Sequence, residues 1–242
     1  MSGKPGAPQA EIPDVSEHGR APDGSVTTSD RILYMQMQVF TGCTDSAKAV
    51  AAFKESGIPG VIYEHLNDTS GLGVVTISES PDYFLETVRP FFNSGPFAEM
   101  APVPEMAMFG RTYSIGYEPD LEEALIGRPR RTALNPDWPW GIWYPLRRGG
   151  AFEQLTRKEQ MAILGEHGTI GRAFGAADLA HDVRLACHGL DVNDNDFVIG
   201  IIGKELRPLS GVVQRMRKTQ QTSLYLERLG PFFVGKAIHY NQ

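Results

Sequence analysis

The sequence predicts an α+β protein in which one supersecondary unit is used twice. Residues 32–115 follow the order strand, helix, strand, strand, helix, strand, and residues 140–240 follow the same order again. A β-α-β-β-α-β unit forms a four-stranded antiparallel sheet with two helices on one face, and two such sheets can pack together. The predicted fold is therefore a tandem ferredoxin-like protein of the dimeric α+β barrel type.

The composition of the chain divides it into four segments. Residues 1–29 are rich in Gly, Pro, Ser, Asp and Glu, which predicts a flexible N-terminal arm. The first ferredoxin-like half covers 30–117, and the second covers 140–242. Between them, residues 118–139 form a long connector rich in Pro and Arg, and a connector of that length is usually functional or disordered.

Charge and apolar content exclude several classes of protein. The 242 residues carry a net charge of −6, which gives no general attraction to nucleic acid or to an anionic membrane. Cys43 and Cys187 have no metal-binding or redox spacing, so two reduced thiols are expected. The chain contains no apolar run long enough for a membrane span and no basic-then-apolar leader, which predicts a cytoplasmic protein.

The elements of the first half follow from apolar periodicity and turn residues. Residues 32–40 alternate as a strand does, and Thr44 or Asp45 can cap a helix that Gly57 ends. Strands are predicted at 60–64 and 72–77, around a turn at 67–71. Pro81 begins the second helix, and residues 106–115 complete the unit.

The second half repeats this pattern after the connector. A strand is predicted at 140–146, followed by a helix that begins at Thr156 and carries Met161, Leu164 and His167 at helical spacing. Strands at 183–187 and 197–202 flank a polar turn. The last helix begins at Pro208, and residues 232–238 form the last strand.

Three motifs follow one another in the second half of the chain: WYPLRR at 143–148, EHGTIGR at 166–172 and GPFFVG at 230–235. In this order they resemble the chlorite dismutase family, which includes the coproheme decarboxylases of bacterial haem synthesis. The resemblance covers nearly all of residues 31–240 and is strongest after residue 128. It implies an iron porphyrin, haem b or coproheme, in the C-terminal half. It also implies a homo-oligomeric ring, most often a pentamer.

The resemblance implies that His167 is the iron ligand. A neutral imidazole is a good ligand for iron, and its second nitrogen needs a hydrogen-bond acceptor that fixes the tautomer. Glu166 points about 100° away from His167 on the helix and is a poor candidate for that acceptor. Gly168 and Gly171 would allow a flat macrocycle to approach the helix backbone closely.

Tyr144 is identified by the same resemblance as the catalytic radical relay of a decarboxylase. In that reaction hydrogen peroxide is the oxidant and a propionate side chain of the porphyrin becomes a vinyl group. Chlorite dismutases generally have an aliphatic residue at this position, so Tyr144 favours decarboxylation over chlorite chemistry. The other interpretation is a tyrosine that only packs in the core.

Carboxylate-binding residues are also implied. Coproporphyrin has four propionates, and arginine binds carboxylates with two parallel hydrogen bonds. Arg148 and Arg130 stand where decarboxylases carry basic residues, and Tyr113 resembles a tyrosine that contacts a propionate. Pro231 stands where decarboxylases have a propionate-binding serine, and Leu146 also departs from the pattern. The alternative for the arginines is an ordinary solvated surface.

Two residues are candidates for the distal side of the porphyrin. Arg184 lies where chlorite dismutases have a distal arginine, which could steady a bound peroxide or oxyanion. His181 is the second candidate, since some decarboxylases use a distal histidine as a base. Either residue could instead be a structural partner of Asp178 or Asp182.

The leading functional hypothesis is a haem-dependent oxidoreductase that converts coproheme to haem b with hydrogen peroxide. A chlorite dismutase or a haem peroxidase-like protein is the second hypothesis, which Arg184 favours. A ring-forming protein that binds haem without catalysis is the third.

Overall fold

The computed structural model describes residues 12–242, which form an α+β protein with one large antiparallel sheet. The strands are β1 Glu17–Arg20, β2 Val26–Ser29, β3 Tyr34–Thr41, β4 Gly60–His65, β5 Leu72–Ser78, β6 Ala101–Pro102, β7 Met108–Arg111, β8 Trp140–Arg148, β9 His181–Ala186, β10 Phe197–Gly203, β11 Leu226–Leu229 and β12 Phe233–Asn241. The helices are α1 Ser46–Ser56, α2 Arg89–Phe92, α3 Gly95–Ala98, α4 Arg128–Ala133, α5 Gly150–Glu153, α6 Arg157–Ala176, α7 Leu206–Met216 and α8 Gln220–Leu224. Short π-helical turns precede α2 and α4, at Phe84–Val88 and Glu123–Gly127. A 3-10 turn covers Pro104–Met106.

The first half places its strands in the order β7-β3-β5-β4, with every pairing antiparallel. Helix α1 begins at Asp45, whose carboxylate accepts hydrogen bonds from the backbone N–H groups of Ala47 and Lys48. It ends at Gly57, whose φ of 64° lies in the left-handed region that favours glycine. Both predicted ends of this helix are confirmed.

The second half has the corresponding order β12-β8-β10-β9, again antiparallel throughout. Helix α6 begins with a capping box, in which Thr156 and Glu159 exchange side-chain and backbone hydrogen bonds. It extends through 20 residues and carries His167 in its second half.

Two further pairings join the halves and close the sheet on itself. Strand β12 pairs with β4 over several residues, and β9 meets β7 at Arg111 and Ala186. The closed sheet encloses a core to which both halves contribute. This interior core includes Met35, Met37, Tyr63, Val75, Trp143, Val183, Leu185, Val198 and Phe233. The α1 and α6 helices pack on the outer face of the sheet. Because α6 carries His167, the candidate site lies on this outer face.

Two segments differ from the sequence prediction. Part of the expected flexible arm forms a hairpin, β1–β2, so residues 17–29 are ordered against the rest of the chain. Residues 1–11 of that arm lie outside the described residues. The connector 118–139 contains α4 and a π-helical turn, and its Leu121, Leu125 and Ile126 belong to the interior core. Both segments acquire structure from contacts with distant residues, which local composition does not encode. Within residues 12–242, no helix combines the length and apolar content needed to cross a bilayer.

Candidate functional site

His167 lies on the face of α6 that packs on the sheet. Ile163 and Phe174 are the buried residues of this helix, and they stand four residues before and seven residues after His167. That spacing places all three side chains on one stripe of the helix. The imidazole is therefore half-buried and turned toward the outer face of the C-terminal sheet.

The Nδ1 atom of His167 is paired with the hydroxyl of Thr219, at 3.3 Å. Thr219 is fully buried and donates its own hydroxyl proton to the carbonyl oxygen of Met216, at 2.8 Å. Since that proton is already used, the Thr219 oxygen acts as an acceptor, and Nδ1 of His167 carries the hydrogen. The lone pair of the imidazole is then on Nε2, which forms no hydrogen bond within residues 12–242.

Sequence reasoning missed Thr219, which is distant from His167 in the chain and becomes its neighbour only through packing of α8 on α6. Glu166 is not the acceptor, as predicted. Its carboxylate instead accepts a hydrogen bond from the backbone N–H of Gln220, at 3.0 Å.

The electrostatic surroundings keep His167 neutral. Burial lowers the pKa of the imidazole below its usual value, and the positive charges of Arg148 and Arg184 lower it further. The carboxylates of Asp182 and Glu166 act in the opposite direction without reversing the shift. Because only the neutral imidazole has a lone pair for a metal, this shift favours the ligating form near pH 7.

Tyr144 and Arg184 lie in one row across the sheet, with Ile199 between them. The register pairs Ile199 with Tyr144 on β8 and with Arg184 on β9. Side chains at paired positions of antiparallel strands share a face. Tyr144 and Ile199 belong to the same outer cluster as Phe174 of α6, so this row faces the helix that carries His167.

Tyr144 is buried and remains protonated. Its ring stacks on Phe232 with the ring centroids 4.5 Å apart. Burial raises the pKa of the phenol, as does the neighbouring charge of Asp182, while Arg217 has the opposite effect. A buried neutral phenol at this position can donate a hydrogen atom or a hydrogen bond toward α6.

Arg184 is held by Asp182, two residues earlier on the same strand and on the same face. The guanidinium Nε lies 2.9 Å from a carboxylate oxygen of Asp182, and the arginine side chain is 41% exposed. Only one edge of the planar guanidinium is used by this pair. The remaining N–H groups form no ion pair within the described residues and could bind an anion.

Arg148 is a half-buried cation that forms no ion pair within the described residues. Its guanidinium lies over the rings of Phe152 and Phe197, at 4.8 and 4.6 Å from their centroids. Its Nε is buried and has no hydrogen-bond partner in that part of the chain. Burial lowers the pKa of Arg148, and the charges of Glu153 and Asp196 act in the opposite direction. The guanidinium is therefore available to an anionic ligand group.

Tyr113 joins this group from the end of the first half. Its ring packs against Phe197 at 5.5 Å, so Tyr113 and Arg148 contact the same phenylalanine. Burial raises the pKa of Tyr113, and the charges of Arg184 and Arg148 partly offset that rise. The structure therefore brings together Tyr113 and Arg148, the predicted carboxylate partners, and Arg184, the predicted distal residue.

Two predicted site residues lie elsewhere. His181 is three positions from Arg184 on the same strand, so it projects from the opposite face. It stacks on Trp138 at 3.6 Å and is paired with Asp178 at 2.9 Å. This geometry argues against the alternative in which His181 is a distal base, and it favours the structural interpretation.

Arg130 is also separated from this group. It lies on α4, whose neighbouring residues belong to the interior core, and it lines a cavity of about 360 Å³ together with Arg131, Asn135 and Gln242. The predicted contact between Arg130 and a porphyrin carboxylate would require a different arrangement of α4.

Two of the four glycines of α6, Gly168 and Gly171, leave open space around the helix. A methyl group added at Gly171, one turn after His167, would meet only Met216, at 3.8 Å. At Gly168 it would meet only the end of the flexible Arg172 side chain, at 3.3 Å. Helix packing within the described residues therefore does not require glycine at either position.

The space beside His167 is limited. A cavity of about 240 Å³ borders Ile170 on α6 and Thr219, the residue that directly precedes α8. Between α6 and the row of Tyr144, apolar side chains of the helix and the sheet are in contact. Residues 12–242 contain no group of three or more His, Cys, Asp and Glu side chains arranged to bind a metal ion.

The helix face that carries His167 packs on the sheet face that carries Tyr144, Arg148 and Arg184. The family model described as chlorite dismutase matches residues 65–238. The chain therefore belongs to the chlorite dismutase family. A search of curated protein sequences finds no match.

Solved structures support the same fold. A haem-binding protein from Thermus thermophilus superposes with a TM-score of 0.67 at 17% identity, covering 95% of this chain and 96% of its own. A mutant chlorite dismutase from Candidatus Nitrospira defluvii in complex with cyanide gives 0.65 at 14% identity, covering 87% and 92%. The enzyme from the same organism in complex with imidazole gives 0.64 at 13% identity, covering 87% and 93%. At these identities the similarity concerns the fold.

Proposed function

We propose that this protein binds an iron porphyrin, haem b or coproheme, between α6 and the outer face of the C-terminal sheet. His167 would hold the iron through its free Nε2. Arg148 and Tyr113 are the proposed partners of the porphyrin carboxylates. The observation that carries this proposal is the half-buried guanidinium of Arg148, which forms no ion pair within the described residues and lies on the same side as a neutral histidine with a free lone pair.

The residues present fit this group. Its metal would meet a neutral imidazole whose tautomer is set by Thr219, and its carboxylates would meet a cation that has no counter-ion in the described part of the chain. Because side chains of α6 and the sheet are in contact, binding requires α6 to move away from the sheet. Gly168 and Gly171 carry no side chains, so less side-chain volume of α6 stands in the way of the porphyrin.

The proposed reaction is the peroxide-dependent decarboxylation of coproheme to haem b. For each propionate, one R–CH₂–CH₂–COO⁻ group, one hydrogen peroxide and one proton give R–CH=CH₂, carbon dioxide and two water molecules. The propionate loses two electrons, which reduce the peroxide. When bound, the iron porphyrin supplies the redox chemistry with peroxide.

The chain contributes positioning and proton handling in this reaction. Tyr144 holds its proton at the phenol oxygen because burial raises its pKa, and it can pass that proton and an electron on together. Arg184 presents free N–H groups that can orient the peroxide. Arg148 fixes the ring through a carboxylate, which determines which propionate stands near Tyr144.

Mass spectrometry of the porphyrin tests this reaction directly. Apoprotein is mixed with iron coproporphyrin III and hydrogen peroxide, and the mass of the extracted porphyrin is followed. We expect two successive losses of CO₂ and two hydrogens in the wild type, and at least a hundredfold slower loss in Tyr144→Phe. Tyr34→Phe is the matched control, since Tyr34 is on the corresponding strand of the first half and packs on Phe109. An unchanged porphyrin mass in the wild type would reject the reaction.

Chlorite decomposition is the second candidate, and the placement of Arg184 on the face of Tyr144 favours it. Oxygen release from chlorite that is lost in Arg184→Ala would select this activity. A porphyrin that binds through His167 but reacts with neither oxidant would select a non-enzymatic haem-binding protein. Assembly into a ring, with five subunits as the expected size, is part of the same proposal and is tested by the mass of the protein in solution.

We also propose that the two halves are ferredoxin-like repeats that together form one barrel. The matching strand orders of the halves and the pairings that close the sheet support this interpretation.

A further inference from the structure

We propose that Glu17, in the N-terminal hairpin, is a positioning residue that holds Tyr113 at the carboxylate-binding end of the porphyrin site. The hairpin is defined here as residues 17–29, which contain β1 and β2. The inference rests on the proposed function, because it assigns the hairpin a role in recognising a carboxylate of the porphyrin.

Glu17 forms contacts on both sides of Tyr113. One carboxylate oxygen lies 2.5 Å from the guanidinium of Arg111, and the other accepts hydrogen bonds from the backbone N–H and the hydroxyl of Ser114, at 2.7 and 3.0 Å. The Glu17 side chain is only 12% exposed. A largely buried carboxylate with three such contacts is a strong local constraint.

The rest of the hairpin docks on the same segment. The backbone N–H of His18 donates to the Ser114 hydroxyl at 3.1 Å, and that of Arg20 donates to the Glu118 carbonyl at 2.9 Å. At Gly19 an added methyl group would lie 2.5 Å from the Glu118 carbonyl oxygen, so the two chains approach too closely for a side chain. Residues 111–118 are therefore clamped along their length by β1.

Tyr113 depends on this clamp more than its neighbours do. On its N-terminal side, Thr112 is buried and exchanges hydrogen bonds with Leu33, so that side is fixed by the sheet. On its C-terminal side, the chain leaves the sheet, and the contacts of Ser114 with Glu17 and His18 are the first that follow. Glu17 thus determines how the backbone leaves β7 and where the Tyr113 ring meets Phe197.

Glu17 would affect the binding of a ligand only through the position of Tyr113. Glu17 contacts Arg111 and Ser114, whereas Tyr113 and Arg148 share the ring of Phe197. Loss of the Glu17 carboxylate should leave Arg148 in place and release the phenol from its position near the porphyrin carboxylate.

A double-mutant cycle tests this role. The dissociation constant of iron coproporphyrin III is measured by Soret titration for the wild type, Glu17→Ala, Tyr113→Phe and the double variant. We expect a five- to tenfold weaker affinity in Glu17→Ala and a comparable loss in Tyr113→Phe. The double variant should be no weaker than Tyr113→Phe, because the two residues act through the same hydroxyl.

Two further variants separate positioning from stability. Glu17→Gln keeps an acceptor for Ser114 and loses the ion pair, so an intermediate affinity is expected. Glu79→Gln breaks a comparable pair with Arg31 beside the hairpin and should leave the affinity unchanged. Melting temperatures identify any variant that fails to fold. If Glu17→Ala fails to fold, Glu17→Gln replaces it in the cycle.

The outcomes distinguish this inference from the proposed function. Two results would overturn the role of Glu17 and leave porphyrin binding intact. One is full additivity of the affinity losses in the cycle. The other is wild-type porphyrin affinity in both Glu17 variants while Tyr113→Phe binds more weakly. Absence of a Soret band in every protein, the wild type included, would reject the proposed function and this inference together.

Discussion

The two halves of the molecule share a strand order and differ in what covers their outer faces. In the first half, α1 and the segment around α2 and α3 cover the sheet with aromatic rings. Phe40, Phe53, Phe84, Phe91, Phe92 and Phe97 belong to or pack against this cluster. In the second half, the longer α6 covers a face that carries a tyrosine, a paired arginine and an unpaired one.

A repeated topology therefore does not repeat the same side chains. The first half fills the space between helix and sheet with aromatic side chains that contribute to stability. The second half also packs apolar side chains there, and it adds the neutral His167 and the half-buried Arg148, to which we assign the proposed binding. Substitutions in the two halves should therefore separate folding from function.

Phe53→Ala should have the largest effect on stability. Phe53 is fully buried on α1, so its removal leaves a cavity, and we expect a loss of about 3–5 kcal/mol in the free energy of unfolding. Urea unfolding measures the loss, and a Soret titration of the folded variant should show unchanged porphyrin affinity. An altered porphyrin spectrum would mean that the halves are not separate in function.

Arg148→Ala should weaken porphyrin binding by about ten- to a hundredfold, since a charge-assisted hydrogen bond is worth about 1.5–3 kcal/mol. The stability of the apoprotein should change little, because the substitution removes a half-buried charge that forms no ion pair within residues 12–242.

Arg147→Ala is the matched control for that loss. Its guanidinium is paired with Asp194 at the surface, and affinity should stay at the wild-type value. The tetra-amide of the same porphyrin, which lacks the charges, should bind both variants equally. A marked drop in apoprotein stability for Arg148→Ala would indicate a structural role instead.

Thr219→Val should cost about 1 kcal/mol in porphyrin affinity, which corresponds to the loss of one hydrogen bond to the ligating imidazole. Nitrogen NMR of the histidine side chains should show His167 in the Nδ1–H tautomer in the wild type and a tautomer mixture in the variant. Thr219→Ser keeps the acceptor and should behave as the wild type. A wild-type tautomer in Thr219→Val would assign the control of His167 to another group.

The smallest effect concerns pH. His167 has its pKa lowered from the usual 6.5, so the neutral form persists below that pH in the folded apoprotein. For a base whose pKa is depressed on folding, the associated stability is present above pH 6.5 and is lost as the pH falls through the lowered pKa. Urea unfolding from about pH 7.5 to about pH 5 should show this loss in the wild type and a flatter profile in His167→Ala. If the free energy of unfolding depended equally on pH in the wild type and in His167→Ala, His167 would have to lie in an exposed environment.

Much of the fold could be predicted from periodicity and caps, because Asp45, Gly57 and Thr156 act within a few residues of their own helices. The hairpin 17–29 and the helix of the connector could not, since Glu17 and Leu121 are ordered by residues far away in the chain.

The site was predictable where local pattern decides orientation. The separation of His181 from Arg184 follows from the two-residue period of a strand and was available in the sequence. Thr219 was not, because its contact with His167 spans 52 residues and depends on how α8 meets α6. The spacing of Arg130 from Tyr144 in the sequence implied a carboxylate-binding role, but the fold of the connector directs Arg130 to another cavity.

The C-terminal half is proposed to bind a porphyrin iron through one imidazole. Electron paramagnetic resonance and absorption spectra of the protein with iron coproporphyrin III measure this coordination. We predict nitrogen coordination in the wild type and in His18→Ala, its loss in His167→Ala, and its return when free imidazole is added to that variant. Identical spectra for the wild type and His167→Ala would contradict coordination by His167.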